Sequence, residues 1–284
     1  MRPVSIIGCG YTGVRLARRL RACGYCVRGL ATREQSLRQI ADAGADAEPL
    51  DLDAPFARLD FGGEVLYYMV PPAREGARDG RLERLLAGLA VEPARIVYLS
   101  TTGVYGDHGG ALVDEDTPPA PRSERAVRRV AAEHALRAWA QARSVSWCIL
   151  RVPGIYGPGR LPIERLRRRE PAIIPQEAPP GNRIHVEDLV SACYAAGFSA
   201  RADRRIYNVT DGSADSFTAY LQCVARICNL PPPPLIHSDA ARASTDYSQS
   251  FLGESRRVDN RRMLEELDIE LAYCDLDKGI RDSL

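Results

Sequence analysis

The chain has 284 residues, 45% of them hydrophobic and 26% charged, with 38 basic against 37 acidic residues for a net charge of +1. That length suits one large α/β domain or a dinucleotide domain with a smaller lobe, and the balanced charge excludes nucleic acid or a membrane surface as a bulk partner. No apolar run approaches a membrane span and the N-terminus lacks a secretory pattern, so a cytoplasmic location is expected.

Residues 3–9 read as a buried strand, followed by glycines and a helix pattern to about residue 22. A second strand is expected over 25–31, then a helix, a short strand near 47–51 and a fourth strand over 64–70 that Pro71-Pro72 stops. A helix over roughly 80–90 and a fifth strand over 95–100 precede a polar loop from 106 to 122. A long helix spans about 123–142 and a sixth strand 145–151. Strands alternating with helices imply a Rossmann doubly wound parallel sheet, covered on both faces. Beyond residue 153 the pattern turns irregular and proline-rich. We therefore expect a Rossmann domain over 1–155 and a small, mainly substrate-facing lobe over 156–284, with segments around 183–211 returning to the main sheet.

Eight cysteines are scattered through mostly apolar segments, which reads as reduced cytoplasmic cysteine. Cys23-Gly24-Tyr25-Cys26 is formally C-x-x-C, but it ends a helix pattern instead of opening one, so its reading is structural and not redox. No spacing suggests a metal site. Of the 38 basic residues one is a lysine, Lys278, so any catalytic lysine would have to be that one.

Gly8-Cys9-Gly10-Tyr11-Thr12-Gly13 is a G-x-G-x-x-G that follows a predicted strand and opens a helix, the context dinucleotide binding requires. Gly8 permits the tight turn, Gly10 lets backbone approach a pyrophosphate, and Gly13 allows close helix–strand packing, with Tyr11 and Thr12 completing the loop. The end of the second strand, where a carboxylate would hold the ribose 2′-OH of NAD, reads Ala31-Thr32-Arg33. Thr32 and Arg33 suit a 2′-phosphate instead, so NADP is the expected cofactor and NAD the alternative. Asp51, at the end of the third strand, could meet the adenine or be a turn residue.

Four ordered blocks resemble the extended short-chain dehydrogenase/reductases, the NAD-dependent epimerase/dehydratase family. They are the glycine loop, Leu99 to Gly106 (LSTTGVYG), Leu150 to Gly159 (LRVPGIYGPG) and Arg183 to Val190 (RIHVEDLV). The resemblance implies that Thr101, or Thr102, hydrogen-bonds the reacting oxygen at the end of strand five. It also implies a Tyr-x-x-x-Lys pair on the following helix, and here the chain departs. Arg125 stands where the tyrosine belongs and Arg129 where the lysine belongs. Arg129 can still meet ribose hydroxyls or phosphate; Arg125 cannot be a phenolic acid. The chain thus resembles an atypical branch that keeps the cofactor fold without the tyrosine.

Tyr105 is a substitute catalytic candidate, and Tyr156, Arg160 and His185 are substrate-binding candidates. Each also has a structural reading: Tyr105 and Tyr156 in Tyr-Gly turns, His185 as a helix cap, and the arginines at 160, 165, 167, 168 and 169 as a solvated face. Glu115 lies in the polar loop. Two functions follow: an NADP-dependent oxidoreductase or epimerase/dehydratase-like enzyme on a small polar, sugar-derived or phosphorylated substrate, or a non-catalytic NAD(P)-binding sensor or scaffold. The long helix at 123–142 is a candidate homodimer face.

Overall fold

The computed structural model describes residues 3–73, 75–243 and 254–284. Its main sheet has seven strands: β1 (Pro3–Ile7), β2 (Cys26–Ala31), β3 (Asp46–Pro49), β4 (Val65–Tyr68), β5 (Arg95–Thr101), β6 (Ser146–Val152) and β7 (Arg205–Asn208). Every pairing is parallel and the spatial order is β7-β6-β5-β4-β1-β2-β3. The order reverses between β1 and β4, so a crevice opens at their carboxyl ends.

Successive strand residues face opposite sides, and the sequence supplies apolar groups for both. Ile6, Val97, Cys148 and Leu150 point to one core and Ile7, Ile96, Tyr98 and Ile149 to the other. Helices α1 (Tyr11–Ala22), α2 (Glu34–Asp42), α3 (Gly80–Gly88), α4 (Glu124–Arg143) and α6 (Val186–Phe198) cover them. The first core takes Leu16 and Leu20 of α1 and Leu189 of α6; the second takes Leu82 of α3 and Leu136 of α4.

A separate apolar cluster builds the remaining lobe. Leu166 of α5 (Ile163–Arg167), Leu221 and Val224 of α7 (Phe217–Ile227) and Ile280 near the C-terminus pack around Tyr156 and Tyr220. The short strand Gly154–Tyr156 pairs with Arg183–His185, which fixes this lobe beside the crevice. β7 lies in the main sheet, so the chain returns there after leaving β6. No helix among the described residues is long and apolar enough to cross a membrane.

Candidate active site

A cleft of about 860 Å³ runs over the carboxyl ends of β1, β4, β5 and β6. The glycine loop forms its floor. Gly8 has φ +79°, and a Cβ there would come within 2.9 Å of the Met69 backbone, so the turn requires glycine. A Cβ on Gly13 would press on Ile6 at 3.1 Å and Cys9 at 3.2 Å, which lets α1 lie close on β1. Gly10 differs: its φ is −103°, and a Cβ there meets nothing nearer than the Gly8 carbonyl oxygen at 4.0 Å. Protein packing does not demand glycine at 10, and the space above it is open to the cleft.

Helix α1 begins at that point with no side-chain cap and no acidic residue in its first turn. Helices α2 and α5 also lack a side-chain cap, whereas α3, α4, α6 and α7 are capped by Asp79, Ser123, His185 and Ser216. An uncapped N-terminus aimed into a cleft is an anion site through its backbone N–H groups and dipole. The side chains agree. Arg15, Arg18, Arg33, Arg125, Arg129 and Arg160 line the cleft, and no Asp or Glu among the described residues does. Lys278 is elsewhere, donating to the Ala272 carbonyl. The described residues hold no group of three or more metal-ligating side chains.

At the end beyond β2, Arg33, Gln35, Ser36 and Gln39 of the α2 region face Arg18 of α1. Glu34, the acid closest to the expected ribose position, is ion-paired with Arg38 and does not line the cleft. Near the middle, the Tyr11 hydroxyl donates to the Pro158 carbonyl at 3.0 Å. The Arg15 and Arg160 guanidinium carbons lie 4.0 and 3.9 Å from the centre of its ring. Burial raises the Tyr11 phenol above its ordinary value despite the two cations, so it stays protonated.

At the far end stand Thr101, Arg125 and Arg129. Thr101 Oγ1 accepts the Gly103 N–H at 3.2 Å, which leaves its proton available to a ligand oxygen. Arg129 is buried. Its Nη1 donates to the Tyr98 hydroxyl at 2.9 Å and to the Leu99 carbonyl at 3.0 Å, while its Nε has no acceptor. One turn further along α4, Glu133 is buried against Arg151 at 2.8 Å and accepts the Ser100 hydroxyl. The residue after Ser100 is Thr101, so this pair anchors the strand end that presents the hydroxyl.

Several sequence candidates lie elsewhere, each for a physical reason. Tyr105 is fully buried and its hydroxyl donates to Asn208 Oδ1 at 2.7 Å, with Arg151 against its ring, so it braces β5 to β7 and does not reach the cleft. Thr102 is buried in the short turn that follows β5. Tyr156 packs behind the cleft against Tyr220 and His185. Asp51 is exposed and accepts the Asp53 N–H, and Thr32 is exposed beside Arg33 without lining the cleft. Glu115, read as a loop acid, is buried and accepts the Asn208 N–H at 2.8 Å. The Arg165 and Arg167 guanidiniums pair with Glu170 and Glu164. Arg15, Arg18, Ser36 and Gln39 were not anticipated. Tyr11, Arg15 and Arg18 sit at helical spacing on one face of α1, a signal the sequence did carry.

His185 is a structural cap. Its Nδ1 accepts the Glu187 N–H at 3.2 Å and its Nε2 meets the Ser283 hydroxyl, also at 3.2 Å, within a 1% exposed side chain stacked on Tyr273. Both nitrogens are satisfied by the neutral ring, whereas the charged ring would lose the cap and oppose the helix dipole. Burial, then the Arg15 charge, lowers its pKa from the ordinary 6.5 to about 4. An unfolded chain takes up the proton first, so stability is full above pH 6.5 and is lost as pH falls toward 4. The expected loss is on the order of 2–3 kcal/mol. Urea unfolding at pH 7 and pH 4.5 checks this; a His185→Asn variant whose stability falls just as much over that interval would remove the assignment.

The model of the NAD-dependent epimerase/dehydratase family matches residues 79–210. Protein YeeZ of Escherichia coli K12 is 30% identical over 295 aligned residues that cover 97% of each chain. Among solved structures, a conserved protein of unknown function from Silicibacter pomeroyi is 32% identical with a TM-score of 0.83, covering 99% of this chain and 97% of that one. The UDP-glucuronic acid 4-epimerase of Bacillus cereus, solved with UDP-glucuronic acid and NAD, is 18% identical with a TM-score of 0.77 over the same shares and supports the fold. Through the ordered sequence blocks, the seven-stranded sheet and these relatives, the chain belongs to the NAD-dependent epimerase/dehydratase family.

Proposed function

We propose that this chain is an NADP-dependent oxidoreductase of the epimerase/dehydratase type that acts on a small polar substrate. The observation that carries the reading is the acid-free cleft in which an uncapped α1 N-terminus and an open Gly10 meet a row of guanidiniums. Those residues fit a dinucleotide: the Gly10–Gly13 backbone takes the pyrophosphate and Arg33, with Ser36 and Arg18, takes the 2′-phosphate. A bound nicotinamide would supply or accept a hydride. The rest falls to the chain itself. Arg129, held by Tyr98 and Leu99, offers a fixed positive charge beside the ribose, and Thr101 donates to the reacting oxygen.

Nicotinamide fluorescence on titration with NADPH and NADH tests this. NADPH is expected to bind at least about tenfold tighter, and Arg33→Ala to remove most of that preference, since one exposed charge-assisted contact contributes on the order of 1.5 kcal/mol. Tighter NADH binding would sink the 2′-phosphate assignment. A second reading, a non-catalytic NAD(P) sensor, draws support from the fixed Tyr11, the only phenol among the described residues that line the cleft. Hydride transfer to any carbonyl in a substrate panel separates the two.

A further inference from the structure

We infer that the substrate carries an oxyanion, a carboxylate or a phosphate ester, and that Arg125 is the catalytic residue that grips it beside the reacting oxygen. The inference rests on the reading of the cleft as a dinucleotide site.

The three arginines of the first turns of α4 are used differently. Arg128 is buried, donates to the Gly76 carbonyl at 2.8 Å and pairs with Glu124. Arg129 is engaged by Tyr98 and Leu99. Arg125 is exposed, lines the cleft and has no acceptor among the described residues. A guanidinium that folding does not employ, in a concavity whose described lining holds no carboxylate, leaves an uncompensated charge directed at the ligand.

Its neighbours narrow the ligand further. Leu99, Val152, Pro153 and Ile155 line the same end and offer no side-chain donors, while the Ser100 hydroxyl is committed to Glu133. That leaves Thr101 and Arg125 as the polar side chains free to meet a substrate there. A neutral polyol would leave the charge unanswered. A planar, bidentate oxyanion answers it, and a second guanidinium, Arg160 stacked on Tyr11, stands further along the cleft.

The replacement also changes the chemistry. A phenol can hand over a proton; a guanidinium does not. In the reducing direction, a bound reduced nicotinamide would supply the hydride for the new C–H bond at the carbonyl carbon, and the C=O π pair would move onto oxygen. Thr101 holds that oxygen as its charge grows while Arg125 keeps the substrate's own oxyanion in place beside it, and solvent water, which reaches the exposed Arg125, gives the proton that completes the hydroxyl. Carbonyl, hydride and proton sum to the alcohol, and the oxidised nicotinamide balances the electrons.

The test is binding of malonate, inorganic phosphate and glycerol to the NADPH-loaded protein, in wild type, Arg125→Gln and Arg125→Lys. At least one anion is expected to bind and glycerol not to. Arg125→Gln is expected to weaken the anion about ten- to hundredfold, with Arg125→Lys between, because a single charge-assisted pair is lost. The NADPH affinity should change less than about threefold, since one exposed guanidinium outside the pyrophosphate site has a small share in it. The retained anion should show no loss of affinity up to about pH 10, as a guanidinium does not titrate there. Malonate binding alone assigns a carboxylate substrate and phosphate binding alone a phosphate ester. Equal anion affinity in Arg125→Gln, no anion binding by wild type, or glycerol binding as well as malonate overturns the inference. Failure to bind NADPH at all overturns instead the dinucleotide reading beneath it.

Discussion

Replacing Glu133 by Gln is expected to lower the unfolding free energy by about 3–5 kcal/mol, because it strands a buried guanidinium. Glu133 and Arg151 are each 3% exposed and 2.8 Å apart. Arg151 is the next-to-last residue of β6 and is buried, so no solvent can take over from the lost carboxylate. Its partner Glu133 accepts two of its nitrogens and the Ser100 hydroxyl as well. Burial works against the charge on Arg151, and the hydrogen bond and field of Glu133 more than restore it, so its pKa stands above the ordinary arginine value. Removing the anion reverses that balance at once. The double variant Glu133→Gln/Arg151→Met removes the stranded charge too and should recover a large part of the loss, for a hydrophobic side chain of similar length fills the site without desolvation cost. Urea denaturation of the three proteins measures this directly. A loss below about 1 kcal/mol in the single variant, or a double variant no better than it, would mean that the pair is solvated or replaceable. The effect should extend to the cleft, because Ser100 and Thr101 are adjacent on β5 and the Ser100 hydroxyl loses its anionic partner.

The parts of this protein that the sequence discloses are those governed by local rules. Strand and helix order follows from the change between twofold and 3.6-fold periodicity. The glycine loop is legible because a turn with φ +79° at Gly8 and close packing at Gly13 each require the residue that is present. Arg125 and Arg129 are legible as departures because helical spacing fixes them relative to Glu133. The residues for which the sequence leaves a site role and a structural role both open are those whose fate depends on distant chain segments. Tyr105 is drawn inward by Asn208, 103 residues on, and His185 by Ser283, 98 residues on. A Tyr-Gly turn or a histidine before a helix looks the same in sequence whether its side chain faces a cleft or a core. The parallel pairing of Gly154–Tyr156 with Arg183–His185 accounts for both placements in that lobe, since it sets Tyr156 and His185 against each other, and neither lines the cleft. Arg18 and Gln39 line the same cleft from two helices, a juxtaposition that neither helix encodes alone.

Gly10→Ala is expected to separate folding from binding, leaving the melting temperature within about 2 °C of wild type while weakening NADPH about a hundredfold or more. The two halves of that expectation have different origins. A methyl group at position 10 meets no protein atom nearer than the Gly8 carbonyl oxygen at 4.0 Å, so packing gives the native state little reason to object. The ligand, however, must bring a pyrophosphate against the bare N–H groups of the first turn of α1, and the methyl occupies that approach. Lifting the phosphates by a fraction of the methyl's width lengthens several charge-assisted hydrogen bonds at once, each worth about 1.5–3 kcal/mol, and two of them weakened together reach a hundredfold. Gly13→Ala provides the contrast, since its methyl presses on Ile6 and Cys9 at 3.1 and 3.2 Å and should cost about 1–3 kcal/mol of stability. Calorimetric melting and NADPH titration of both variants decide the matter. Should Gly10→Ala bind NADPH as well as wild type, the pyrophosphate cannot lie over the α1 N-terminus, and the cleft's guanidiniums would then be serving some other anion.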